Sequence, residues 1–301
     1  MPALVTNAKT SDAYAQAIDM EHAMTEHQAL LEQRYGAQTK PARMAWNAQI
    51  AALLLHRSVR NYLPEALPEG ALEAMVAAAQ SASTSSNLHQ WSVVAVGDPA
   101  LKARVAELAS GRKKDANRFI NDAPLVLLWV ADLSRSHAIT CDGGGDAQVH
   151  DYLDAFLMAS IDAALAAQNA VVAAESMGLG VVYIGAMRNE AQALAELIHL
   201  PRYSFVAFGL VVGKPADLPG KPETVRPRPP QSVVLHHDRY DFQRSMAGLD
   251  DYEAEFGKFR EHMGSARRSW KESVVHYNRF DYMDGREKLR QAMVERGFNL
   301  L

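Results

Sequence analysis

One stretch limits the fold more than any other: "APLVLLWVAD", residues 123–132, is apolar on both faces at strand spacing. A strand without a polar face belongs in the middle of a sheet that is covered on both sides. Three further runs supply its neighbours: "WSVVAV" (91–96), closed by "GDP", then "VVYIG" (181–185) and "FVAFGLVVG" (205–213). The coverings are helical. Trp46, Ile50, Leu53 and Leu54 stand at i, i+4, i+7 and i+8, and Leu72, Met75, Val76 and Ala79 repeat that spacing after "LPEALPEG". Short helices are predicted near 99–109 and 189–198. A long alanine-rich one spans 150–177, roughly 40 Å at 1.5 Å per residue. It is apolar nearly all round, so it is expected to be buried, and shared with a partner subunit. "CDGGGD" (141–146) reads as a loop. The Pro-rich stretch 214–230 cannot be helical, and the last 60 residues read as charged helices. The expected class is mixed α/β (α+β), a sheet with helices on both sides.

Composition narrows the function. The chain has 301 residues, 48% hydrophobic and 22% charged, so a substantial core is expected. A net charge of −4 argues against nucleic acid as the partner. Cys141 is the single cysteine, which excludes an internal disulfide and fits a reducing compartment. No basic n-region with a following apolar run opens the chain, and no run approaches the ~18 apolar residues of a membrane span. A cytoplasmic protein is expected. Residues 1–45 are weakly patterned, with one helix expected between Ser11 and Arg34, and look like an appendage.

Four polar segments carry chemistry. In "LLLHRSVRNYLP" (53–64) a helical apolar face ends in His56, Arg57, Ser58 and Arg60. Either these are solvated groups at a helix end, or they form an anion cradle in which Arg57 and Arg60 converge on a helical or turned segment. "SASTSSNLHQW" (81–91) masses hydroxyls and amides at a strand's entrance. It is an ordinary polar connection or a ligand loop. In "GLGVVYIGAMRN" (178–189) the N–H groups of Gly185 and Ala186 follow a buried strand, free to donate to a ligand, or the glycines merely cap a helix and make a tight turn. "VRPRPP" (225–230) sets Arg226 and Arg228 on a stiff extended chain, whose alternate residues need not point the same way, or is simply a polyproline linker. "HHDRY" (236–240) lacks a third ligand at metal spacing, and no hydrolase or P-loop motif occurs.

Taken in order, "HRSVRNY", "STSSNLHQW", "GLGVVYIGAMRN" and "FGLVVGKPAD…RPRPP" resemble the nitroreductase superfamily. The likeness is to its group A oxygen-insensitive NADPH nitroreductases and flavin reductase P type, over roughly residues 50–240 with a continuation to "GSARRSW" (264–270). The resemblance implies a mainly antiparallel sheet flanked by helices, with a C-terminal helical excursion. It implies FMN as cofactor, NADPH or NADH as donor, and a homodimer with sites at the subunit interface. It divides the chain into an N-terminal extension (1–45), an FMN-binding core (46–240) and the excursion (241–301).

The resemblance assigns the flavin to His56, Arg57, Ser58, Arg60, Thr84, Ser85, Ser86, Tyr183, Ile184, Gly185, Ala186, Arg226 and Arg228, with Asn117 about where a flavin-contacting Gln is common. Ser85, Ser86, Asn87 and His89 would shape the acceptor pocket, and Arg267 would meet NADPH, although Met263 replaces a second such arginine. No metal and no catalytic side chain is implied, because the chemistry belongs to flavin N5. Nitroaromatics, quinones or free flavins would accept two electrons in ping-pong turnover. A flavin-binding sensor of the same fold without turnover is the alternative reading. A phosphate-ester hydrolase would need a nucleophile or metal motif that the sequence lacks.

Overall fold

The computed structural model describes residues 26–217, 224–265 and 268–301. Four strands, β1 (Trp91–Val96), β2 (Leu125–Asp132), β3 (Gly180–Ile184) and β4 (Ser204–Gly213), form one antiparallel sheet in the order β1-β2-β4-β3. The doubly apolar run is therefore a central strand, and all of its residues are buried. Its alternation is split between two layers. Val126, Leu128 and Val130 pack with Val105, Ile120, Ile184 and Met187. Leu125, Leu127 and Trp129 pack with Met75, Ala163, Ala166 and Ala170. This is the period-2 geometry of a strand between two cores.

Residues 26–35 are helical (α1), and α2 (Ala48–Leu54), α3 (Ala71–Gln80), α4 (Pro99–Ser110), α5 (Phe119–Asp122) and α6 (Ser134–Asp142) follow. Then come α7 (Leu153–Ser176), α8 (Ala191–Leu197), α9 (Gln231–Val234), α10 (Phe242–Ala247), α11 (Leu249–His262), α12 (Trp270–Tyr277) and α13 (Leu289–Glu295). The helix expected between Ser11 and Arg34 lies partly outside the described residues. Cys141 and Asp142 end α6, so the expected loop at 141–146 begins only at its glycines.

The chain forms two compact units. One contains the described residues up to Arg57 and those of 220–276, and the other contains Ser58 to the end of β4 and beyond, with 277–301.

α7 corrects one expectation. It is 24 residues long, and by length and composition it is apolar enough to cross a membrane. It is not buried all round. Ala155, Ala159, Ala163, Ala166, Ala167, Ala170 and Ala174 form a buried stripe, small enough to seat the helix close to the sheet. Leu153, Leu157, Ile161 and Leu165, at i, i+4, i+8 and i+12, stay 46–55% exposed. The alanines bring one face down, and the branched side chains are left on the other.

Candidate functional site

The segment after α2 is extended, not helical, which corrects the expected convergence of Arg57 and Arg60. The helix stops at Leu54, and the Val59 N–H donates to Val181 O (2.9 Å), pairing Ser58 with Val181 in a parallel bridge. Around the bridge the side chains alternate, with Val59 buried between the exposed Ser58 and Arg60; the alternation ends there, since Asn61 is exposed and Tyr62 buried. Two fittings lock this register. A Cβ on Gly180 would lie 2.7 Å from Val59, so only glycine admits that valine. The Tyr62 hydroxyl donates to Val59 O (2.6 Å), and burial pushes its pKa up. Because the bridge is parallel, Arg60 is carried toward the end of β3 from which Gly185 and Ala186 leave.

At that end Ile184 is buried and Tyr183 exposed, with its ring edge-on to Phe208 and its hydroxyl 3.4 Å from Gln168 Oε1. Residues Gly185–Arg188 form a 3₁₀ turn, whose first N–H groups have no partner within the turn. Arg188 is fastened behind it by a bond to Ala207 O (2.6 Å), and burial followed by the Arg286 charge lowers its pKa.

The loop before β1 is strained. Ser86, Asn87 and His89 have φ of 49°, 57° and 50°, in the left-handed region that non-glycine residues seldom occupy. Such strain persists only where the surroundings impose it. Two residues that the sequence reading missed impose it here. Asp162 on α7, 1% exposed, accepts hydrogen bonds from the Ser85 N–H (2.9 Å) and the Gln90 N–H (3.4 Å). Arg135 on α6 donates to His89 O (2.7 Å) and Trp91 O (2.8 Å), and pairs with Asp132 (2.8 Å). The signal for Asp162 was a single carboxylate inside the alanine run of α7. Ser85 turns its hydroxyl to Met158 Sδ (3.2 Å), while Ser86, Asn87 and His89 are exposed and Thr84 is half-buried.

In the other unit, residues 224–228 are extended with Val225 and Pro227 buried and Arg226 and Arg228 exposed. Both guanidiniums therefore leave the same side of the chain, which the sequence reading had left open. Tyr252 lies behind them, its hydroxyl 3.4 Å from Pro227 O. Asn117 lies in the turn after α4. Its amide donates to Ala109 O (2.9 Å) and its N–H to Ser110 Oγ (3.2 Å), closing the turn after α4. Arg267 lies outside the described residues. No group of three or more His, Cys, Asp or Glu suited to a metal occurs among the described residues.

An antiparallel α+β sheet of this order, with a strained polar loop at one strand's entrance and an arginine at another's exit, defines the class of protein. Comparison with known proteins then places it. The nitroreductase family matches residues 53–214, and the nitroreductase C-terminal domain matches 226–301. An FMN reductase [NAD(P)H] of Bacillus subtilis is 35% identical over 256 residues, covering 81% of this chain and 97% of its own length. A solved Bacillus subtilis structure, the hypothetical oxidoreductase YcnD, superposes with a TM-score of 0.77 at 31% identity, covering 85% of this chain and 99% of that one. The NADPH:FMN oxidoreductase of Vibrio harveyi, solved with NAD+, gives 0.70 at 29% identity over 84% of this chain and 99% of its own. The chain belongs to the nitroreductase family.

Proposed function

We propose that this chain is an FMN-dependent NAD(P)H oxidoreductase that passes two electrons to a small-molecule acceptor. The observation that carries the reading is the locked segment Ser58–Arg60, whose arginine stands exposed at the same strand end as the Gly185–Ala186 turn. The donor chemistry fits the cofactor. Arg60, Arg226 and Arg228 are exposed cations suited to a phosphate and to the polar edge of a flavin. FMN, when bound, supplies the hydride chemistry.

The chain's own residues supply the rest. Toward FMN, Arg226, Arg228, His56 and Arg57 would serve the phosphate, Arg60 would supply positive charge to the flavin's polar edge, and the N–H groups of Gly185 and Ala186 would donate to the flavin. Thr84, Ser85 and Ser86 line the cofactor. Ser86, Asn87 and His89 border the acceptor, a nitroaromatic, quinone or free flavin. Arg267, outside the described residues, would be the residue for the 2′-phosphate of NADPH by the resemblance.

Three further features complete the reading. The exposed stripe Leu153, Leu157, Ile161 and Leu165 is the homodimer face, since a contiguous apolar row of this length marks an interface. The functional division is an extension to residue 45, the FMN core to 240 and a helical excursion from 241. The protein works in the cytoplasm, where its one exposed thiol, Cys141, stays reduced.

The test is FMN retention. The purified chain is expected to carry FMN through gel filtration, and Arg60→Ala to lose most of it. A wild type without FMN, or Arg60→Ala with undiminished FMN and activity, overturns the assignment.

A further inference from the structure

Arg34 precedes both family matches, which cover residues 53–214 and 226–301. It is 3% exposed, on the helix 26–35. Its guanidinium is spread over two segments far apart in sequence. Nε donates to Leu54 O (3.1 Å), Nη2 to Leu54 O and His56 O (2.9 Å), and Nη1 to Arg226 O (2.6 Å). The backbone completes the clasp, because the Arg228 N–H donates to Arg34 O (2.7 Å). One residue thus ties the end of α2 to the segment 224–228, within one compact unit.

These are the segments on which His56, Arg57, Arg226 and Arg228 sit. Leu54 ends α2, and its carbonyl is among those a helix leaves without partners, where a cation is favoured. Only a planar fork of five N–H donors serves three carbonyls in different directions; a lysine ammonium is a single point. Arg226 and Arg228 are exposed on either side of the buried Pro227, so their direction depends on how the backbone of this segment is held. The Arg34 bonds to Arg226 O and from the Arg228 N–H hold that backbone.

We infer that Arg34 is a positioning residue for the FMN phosphate, so that the segment preceding the family match is a working part of the cofactor site. It acts through the four phosphate-facing residues and touches no cofactor atom. This rests on the FMN reading above.

The test is equilibrium titration of the flavin-free, full-length chain with FMN and, in parallel, with riboflavin, which lacks the phosphate. Arg34→Met is expected to weaken FMN by about 10- to 100-fold, taking as a guide the loss seen when a residue that orients a metal's ligands is removed. Riboflavin binding is expected to change by less than about threefold. Arg34→Lys, which keeps the charge and one or two of the bonds, is expected to fall between. It also serves as the readout if Arg34→Met does not fold. A folded Arg34→Met, or Arg34→Lys, with wild-type FMN affinity overturns the inference, and so does equal weakening of FMN and riboflavin, the mark of general destabilisation. Arg228→Ala separates the two levels. If it loses FMN while the Arg34 variants do not, the clasp fails and the FMN site stands. If the wild type binds no FMN, both fall.

Discussion

Asp162→Ala removes the carboxylate that holds the loop before β1. Two N–H groups lose their acceptor, that of Gln90, which is buried, and that of Ser85, which is half-buried. Each unsatisfied buried donor costs about 1–3 kcal/mol, and bonds to a charged acceptor lie at the upper end. Relief of the desolvation of Asp162 offsets a part. The net loss is about 2–5 kcal/mol, or about 4–20 °C at the ~2–4 °C per kcal/mol of a domain near this size. Asp162→Asn keeps one carbonyl for Ser85 but turns an amide N–H₂ toward the Gln90 N–H, so it loses about 1–2 kcal/mol. Thermal unfolding of the flavin-free protein followed by circular dichroism reads the total. Hydrogen exchange at the Ser85 and Gln90 amides reads the site. The left-handed φ of Ser86, Asn87 and His89 would relax once the tether is gone. Asp162→Ala within about 0.5 kcal/mol of wild type, with both amides still protected, would refute the reasoning.

Three further outcomes follow from the geometry. Gly180→Ala sets a Cβ against Val59 and is expected to cost about 1–3 kcal/mol; adding Val59→Ala should recover part of that loss, a coupling that unfolding of the four members of the cycle measures. Burial lowers the His150 pKa, the His137 charge adds to this, and Asp151 opposes it. The unfolded chain then binds the extra proton, so this contribution is complete above the ordinary value of 6.5 and is lost as pH falls below it; a His150→Gln variant should show a flatter fall in unfolding temperature between pH 7 and 5. Ile161→Glu puts a charge in the exposed stripe of α7 and should yield a monomer by light scattering, whereas an unchanged mass would place the dimer face elsewhere.

Much of this was legible in the sequence because period-2 and period-3.6 patterns are local. The run 91–96 is β1 to the residue, and β2 and β4 begin within two residues of where their apolar runs start. The family order of "HRSVRNY", "STSSNLHQW" and "GLGVVYIGAMRN" was legible too. What the sequence hid depends on partners distant along the chain. The extended form of 58–60 is set by Val181 and Gly180, more than 120 residues on. Asp162 passed unnoticed because a carboxylate in an alanine helix gives no sign of facing two backbone amides 72–77 residues away. The resemblance placed Asn117 about where a flavin-contacting Gln is common, and gave no sign that its amide closes a turn on Ala109. The half-exposed face of α7 escaped because composition counts apolar residues without saying which are small enough to approach a sheet.

The most direct measurement of the central claim is anaerobic absorbance of the purified protein. The account predicts the yellow spectrum of bound FMN, rapid bleaching when NADPH or NADH is added, and recovery of the colour when a nitroaromatic follows. A yellow protein that neither nicotinamide bleaches would contradict turnover and leave a flavin-binding protein, and a colourless protein that takes up no FMN would contradict the site itself.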